Sequence, residues 1–86
     1  MKNYIYPAIF EKEEDGYVVS FPDLKGCITE GDTNEEAYKY AKEALALYLD
    51  GLKDIPASSG IDEIAADKNQ RVLLVEADSR DDITYY

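Results

Sequence analysis

Strand-like apolar segments separated by polar turns fill the first third of the chain, and then the period changes. Residues 4–10, YIYPAIF, are aromatic and β-branched and predict a strand; Pro7 within them predicts an edge strand or a bulge, because proline donates nothing to a ladder. The polar segment EKEEDG follows and ends in Asp-Gly, a sequence suited to a hairpin connection. In YVVSF the alternation puts Tyr17, Val19 and Phe21 on one face and Val18 and Ser20 on the other. After FPDLKG, a third short strand is expected over residues 27–31, with Cys27 and Thr29 facing one way and Ile28 and Glu30 the other.

The period then lengthens to that of a helix. Thr33 followed by Glu36, or Asp32 followed by Glu35, forms a capping box. Behind it Ala37, Ala41, Ala44, Leu45, Tyr48, Leu49 and Leu52 make one apolar stripe, with Gly51 placed to stop the helix. Residues 53–69 are polar and rich in breakers, with room for one short helical turn over Ile61 to Ala66. QRVLLVEA then carries four consecutive apolar residues, Val72 to Val75, as expected of a strand buried on both faces.

The resulting order is β-β-β-α-β, an α+β fold with a mixed sheet and one long helix on one face. One domain is expected over residues 1–77, with an acidic tail over 78–86 and no separate DNA-binding domain. Tyr4, Tyr6, Phe10, Tyr17, Val19 and Phe21 need cover on one side of the sheet; Ile5, Ile9, Val18 and Leu73 or its neighbours need it on the other. One helix covers one face, so the second must meet another subunit or a partner.

Composition narrows the chemistry. At 86 residues the chain buries only about 60% of its unfolded surface, so oligomerisation would add stability. Nineteen acidic against nine basic residues give a formal charge of −10, which repels phosphate backbones and attracts cationic surfaces. No apolar run reaches the roughly 20 residues of a membrane span, no Lys/Arg-led apolar segment of the kind that marks a leader opens these residues, and a cytoplasmic location is expected. The absence of histidine removes the commonest general base, the Ser-His and Cys-His pairs, and the usual zinc ligands. Cys27 alternates with apolar neighbours and reads as a small buried hydrophobe rather than a nucleophile. Asp23, Glu30 and Asp32 are the nearest set for a two-metal nuclease, but acids at 30, 32, 35 and 36 are more simply explained as capping and dipole partners of the helix. No phosphate-loop pattern occurs, and no cofactor is expected.

Taken together, YPAIFEKEEDGYVVSFPDL, then GC with ITEGDT, then EEAYKYAKEALALYLDG resemble the HicB-like antitoxin family over residues 4–52. The resemblance implies a partial RNase H-like domain, without nuclease activity of its own, that masks a small basic mRNA-cleaving toxin of the HicA type and assembles as a dimer or tetramer. The family's loop often reads FPDLPGC; here Lys25 stands at the second proline. Many members carry an operator-binding segment after the last strand, and direct DNA binding is not expected of this chain. Two other functions compete: an orphan HicB-like oligomer or adaptor without a toxin, and a residual metal-dependent nuclease. Phe21, Pro22, Asp23 and Leu24 are the candidate partner-interface residues, because a proline-stiffened loop with an apolar and acidic tip is cheap to preorganise. The alternative assigns Phe21 and Leu24 to the core and Asp23 to the turn.

Overall fold

In the computed structural model, which describes residues 3–50, 52 and 54–78, strands β1 (Asn3–Glu13), β2 (Gly16–Ser20) and β3 (Ile28–Gly31) lead into helix α1 (Asn34–Asp50). A single 3-10 turn at Ile61–Glu63 precedes strand β4 (Gln70–Asp78). The strand order is β3-β2-β1-β4. The predicted stop at Gly51 and residues 79–86 of the predicted tail lie outside the described residues.

The order of elements is the expected one, but the sheet is antiparallel throughout rather than mixed. The reason is the path of the connector. Helix α1 runs back along β3: its first turn sits against Gly31, while Tyr48 near its end donates to the carbonyl of Lys25. A strand entered directly from the helix end would run parallel to β1. Instead the connector, described over residues 54–69, returns across the molecule to the hairpin end, where Lys12 N–H donates to Asn69, and β4 descends antiparallel to β1 from there.

That path also accounts for Pro7, which lies in an interior strand by order rather than on an edge. The Lys12 bond fixes which amides of β1 face β4, and Pro7 belongs to the alternate set that faces β2. Pairing with β2 extends only from Ile9 to Glu13, so the missing donor points where β2 has already ended. β1 itself is longer than its apolar core, because the hairpin turn is only Glu14 and Asp15 and the preceding EKE is paired.

Helix α1 begins where the capping box places it. Thr33 Oγ1 accepts from Glu36 N–H at 3.1 Å and Glu36 Oε1 accepts from Asp32 N–H at 3.0 Å, one residue before the usual partner. Ala37, Ala41, Leu45 and Leu49 are buried against Tyr6, Ala8, Phe10, Val19 and Val75, and Phe10 stacks on Tyr38. Ala46 joins this core and Leu52 does not, since Leu52 follows the helix and stays exposed.

Candidate functional site: a tied double turn and an open sheet face

The FPDLKGC segment is two consecutive turns. Leu24 N–H donates to Phe21 O and Cys27 N–H donates to Leu24 O, both at 3.0 Å, and Phe21 N–H to Cys27 O closes the base. Pro22 occupies the second position of the first turn, where its fixed φ is suited. Gly26, at φ 83°, occupies the third position of the second, which a type II turn reserves for glycine. The hinge residues Phe21 and Leu24 are 3% and 1% exposed and anchor the loop in the core. Pro22 is exposed, and Asp23 is half-buried.

Four further bonds tie this loop end together. Ser59 donates its N–H and its hydroxyl to the two carboxylate oxygens of Asp23, Tyr48 donates to Lys25 O at 2.9 Å, and Tyr6 donates to Pro56 O. Desolvation, with Asp23 and Tyr4 nearby, raises the Tyr6 phenol above its ordinary value, which keeps it a donor. Burial likewise raises the Cys27 thiol, whose Sγ lies 3.8 Å from Ala44 O, so the residue is protonated packing and not an activated thiolate.

The proposed metal set is not assembled. Asp23 is spent on Ser59 at the Ser20 end of β2, while Glu30 and Asp32 lie toward its Tyr17 end. Among the described residues no group of three could hold a metal ion. At that hairpin end Glu13, Glu14, Asp15, Glu30, Asp32 and Glu36 line one open acidic cleft.

The sheet face turned away from α1 carries Ile5, Ile9 and Glu11 from β1, Val18 from β2, Ile28 and Glu30 from β3, and Val72, Leu74 and Glu76 from β4. Ile28, Leu74 and Ile5 are 63%, 49% and 48% exposed. β4 is thus an edge strand with one open face, not a strand buried on both; Leu73, opposite Ala8, faces the helix instead. The expectation of a second, uncovered apolar face holds within the single chain. A four-residue apolar run does not reveal which of its members the chain itself leaves bare.

These features define a small α+β domain: a sheet covered by one helix, an open apolar face on its other side and a loop tied down by hydrogen bonds. The family described as HicB_like antitoxin of bacterial toxin-antitoxin system matches residues 6–80, and the chain belongs to that family. It is 38% identical over 82 residues to Antitoxin HicB 2 of Photorhabdus laumondii, an alignment spanning 86% of this chain and 59% of that protein. Among solved structures, a chain of the HicA3 and HicB3 toxin-antitoxin complex superposes with a TM-score of 0.73 at 27% identity, covering 87% of this chain and 99% of that one. A chain of a toxin-antitoxin complex from Streptococcus pneumoniae shares the fold at a TM-score of 0.82 and 20% identity, over 99% of this chain and 80% of that one. The chain therefore spans about three-fifths of the length of the Photorhabdus relative.

Proposed function

We propose that this chain is an antitoxin module that binds and neutralises a small basic HicA-type mRNA-cleaving toxin, acting by contact rather than by catalysis, in the cytoplasm. The observation that carries the proposal is the placement of charge. The chain carries an excess of ten acidic groups, and six carboxylates surround one cleft at the hairpin end. Such a field accelerates encounter with a cationic protein and repels the RNA that the toxin would cut. Family membership and the likeness to a chain of the HicA3 and HicB3 complex support the same partner class. In this proposal the loop at 21–24 contributes shape: Phe21 and Leu24 hold it from beneath, Asp23 locks it to the connector, and Pro22 is the side chain it presents.

The test is co-expression with any small basic protein found encoded beside this chain, reading growth, together with a pull-down at micromolar concentration. Restored growth and a stoichiometric complex are expected. A toxic neighbour that is neither bound nor relieved would overturn the proposal. An RNA cleavage assay of the chain alone, with and without a chelator, addresses the nuclease alternative and is expected to show no cleavage.

A further inference from the structure

The open sheet face has a defined chemistry. By strand register it presents Ile5, Ile9, Val18, Ile28, Val72 and Leu74 across all four strands, and the charged side chains among its described residues are Glu11, Glu13, Glu30 and Glu76. No lysine or arginine faces this side among the described strand residues: Arg71 reaches Asn34 on the helix side, and Lys12 lies over the Tyr17 ring.

We infer that this face is the platform on which the toxin docks, beside the acidic cleft that steers it, taking a partner surface of aliphatic side chains ringed by lysine or arginine. The inference rests on the antitoxin proposal and adds the surface and its chemistry. Charge decides between occupants. A second copy laid face to face would oppose one set of glutamates with another and offer no cation to either. A cationic partner removes that penalty and places its apolar centre on Ile28, Leu74 and Ile5. Glu11 and Glu13 sit side by side on β1, and the Glu13 carboxyl is raised above the ordinary range by its bond to Glu11 and that neighbour's charge. Two carboxylates that burden each other in the free chain are relieved by one incoming cation. The cleft shares Glu13, Val18 and Glu30 with this face, so steering at the hairpin end delivers the partner onto the platform.

The experiment measures binding of the full chain to the toxin identified by the growth assay, in a catalytically inactive form, by calorimetry and stopped flow. The variant Ile28→Asp with Leu74→Asp is expected to weaken binding at least about thirtyfold. The variant Glu11→Gln, Glu30→Gln and Glu76→Gln is expected to slow association about tenfold at low salt, with the difference closing as salt rises. Tyr40→Ser with Leu47→Ser, exposed on α1, is expected to leave the affinity unchanged, and circular dichroism confirms that each variant is folded. If the wild type binds and the Ile28/Leu74 variant binds equally well, this surface is wrong while the antitoxin proposal stands. A wild type that does not bind removes both. Sedimentation gives the remaining outcome: a wild-type dimer that the Ile28/Leu74 variant dissociates would show that a second copy occupies the face, and would overturn the inference.

Discussion

Asp23 binds Ser59 with both carboxylate oxygens, Oδ2 accepting the backbone N–H at 2.7 Å and Oδ1 the hydroxyl at 2.6 Å, across 36 residues of chain. A loop residue thereby fixes the midpoint of the connector that must turn back toward the hairpin end. Hydrogen bonds to an ionised acceptor contribute about 1.5–3 kcal/mol each at most contexts, and half-burial limits the substitution of water for Ser59. Asp23→Ala is expected to lower stability in urea by about 1.5–3 kcal/mol and to speed exchange of the Ser59 amide. Unchanged exchange at Ser59 would show that the connector is held elsewhere.

Lys25 stands at the second position of the type II turn completed by Gly26, where a proline would lock φ near the required value. Its carbonyl, which accepts from Tyr48, is kept by proline. Lys25→Pro is expected to raise stability by about 0.4–1 kcal/mol, acting through the unfolded chain. Gly26→Ala, at a φ of 83°, is expected to lower it. Thermal melts of the two variants should move in opposite directions.

Which parts of this fold the sequence declares follows from how local their causes are. The Thr33–Glu36 cap, the helix stripe and the alternation of β2 are decided within a few residues of themselves, and the structure has them where the pattern puts them. The antiparallel course of β4 is decided by Asp23–Ser59, Tyr6–Pro56 and Lys12–Asn69, pairs separated by 36 residues or more and leaving no periodic trace. For the same reason Val72–Val75 looks doubly buried: periodicity reports that both faces are apolar and says nothing about what the single chain supplies to cover them. Within the loop, burial of Phe21 and Leu24 follows from the double turn, whose one visible sign is the spacing of Pro22 and Gly26.

Glu11 and Glu13 are expected to titrate apart. The bond from Gln70 Nε2 to Glu11 Oε1 at 2.8 Å, and then that with Glu13, lower Glu11, whereas Glu11 raises Glu13. The stability tied to Glu13 is present below its unfolded pKa and is lost as pH rises through its higher folded value. That tied to Glu11 runs the other way, present above its unfolded pKa and lost as pH falls through its lower folded value. Carboxyl NMR titration should show the order Glu11 below Glu13. In Glu11→Gln, which keeps an acceptor for Gln70, Glu13 should return toward the ordinary carboxylate value; an unmoved Glu13 would disprove the coupling.

Cys27 is buried in the core, and desolvation raises its thiol. Thiol reagents are expected to react slowly with the native chain at neutral pH and quickly in denaturant. A raised folded pKa also means that the stability linked to this thiol is intact below its unfolded value and is lost as pH rises through the folded one. Cys27→Ala is therefore expected to be less stable than the wild type by about 1 kcal/mol near neutrality, with the gap narrowing in alkali. Rapid native labelling would contradict the packing assignment.

Gly31 is where helix and sheet come closest. A Cβ added there would stand 2.5 Å from Ala37 N and 2.7 Å from Ala37 Cα, both backbone atoms of the first helical turn, so no side-chain rotation relieves the clash. Gly16 faces the same junction from β2, where a Cβ would stand 2.5 Å from Gly31 O. The two positions lie on adjacent strands, with Gly31 opposite Tyr17, the residue after Gly16, and relief at either means moving α1 or β3. Such a shift would pull Thr33 and Glu36 out of their reciprocal cap and lift Ala37 and Ala41 from the sheet. Gly31→Ala is therefore expected to cost more than about 2 kcal/mol, well above an ordinary surface substitution. Glu30→Ala, one residue earlier and exposed on the open face, should stay within about 0.5 kcal/mol of wild type in the same urea titration. Equal costs at the two positions would mean that the close packing of α1 on β3 is not what holds this end of the fold.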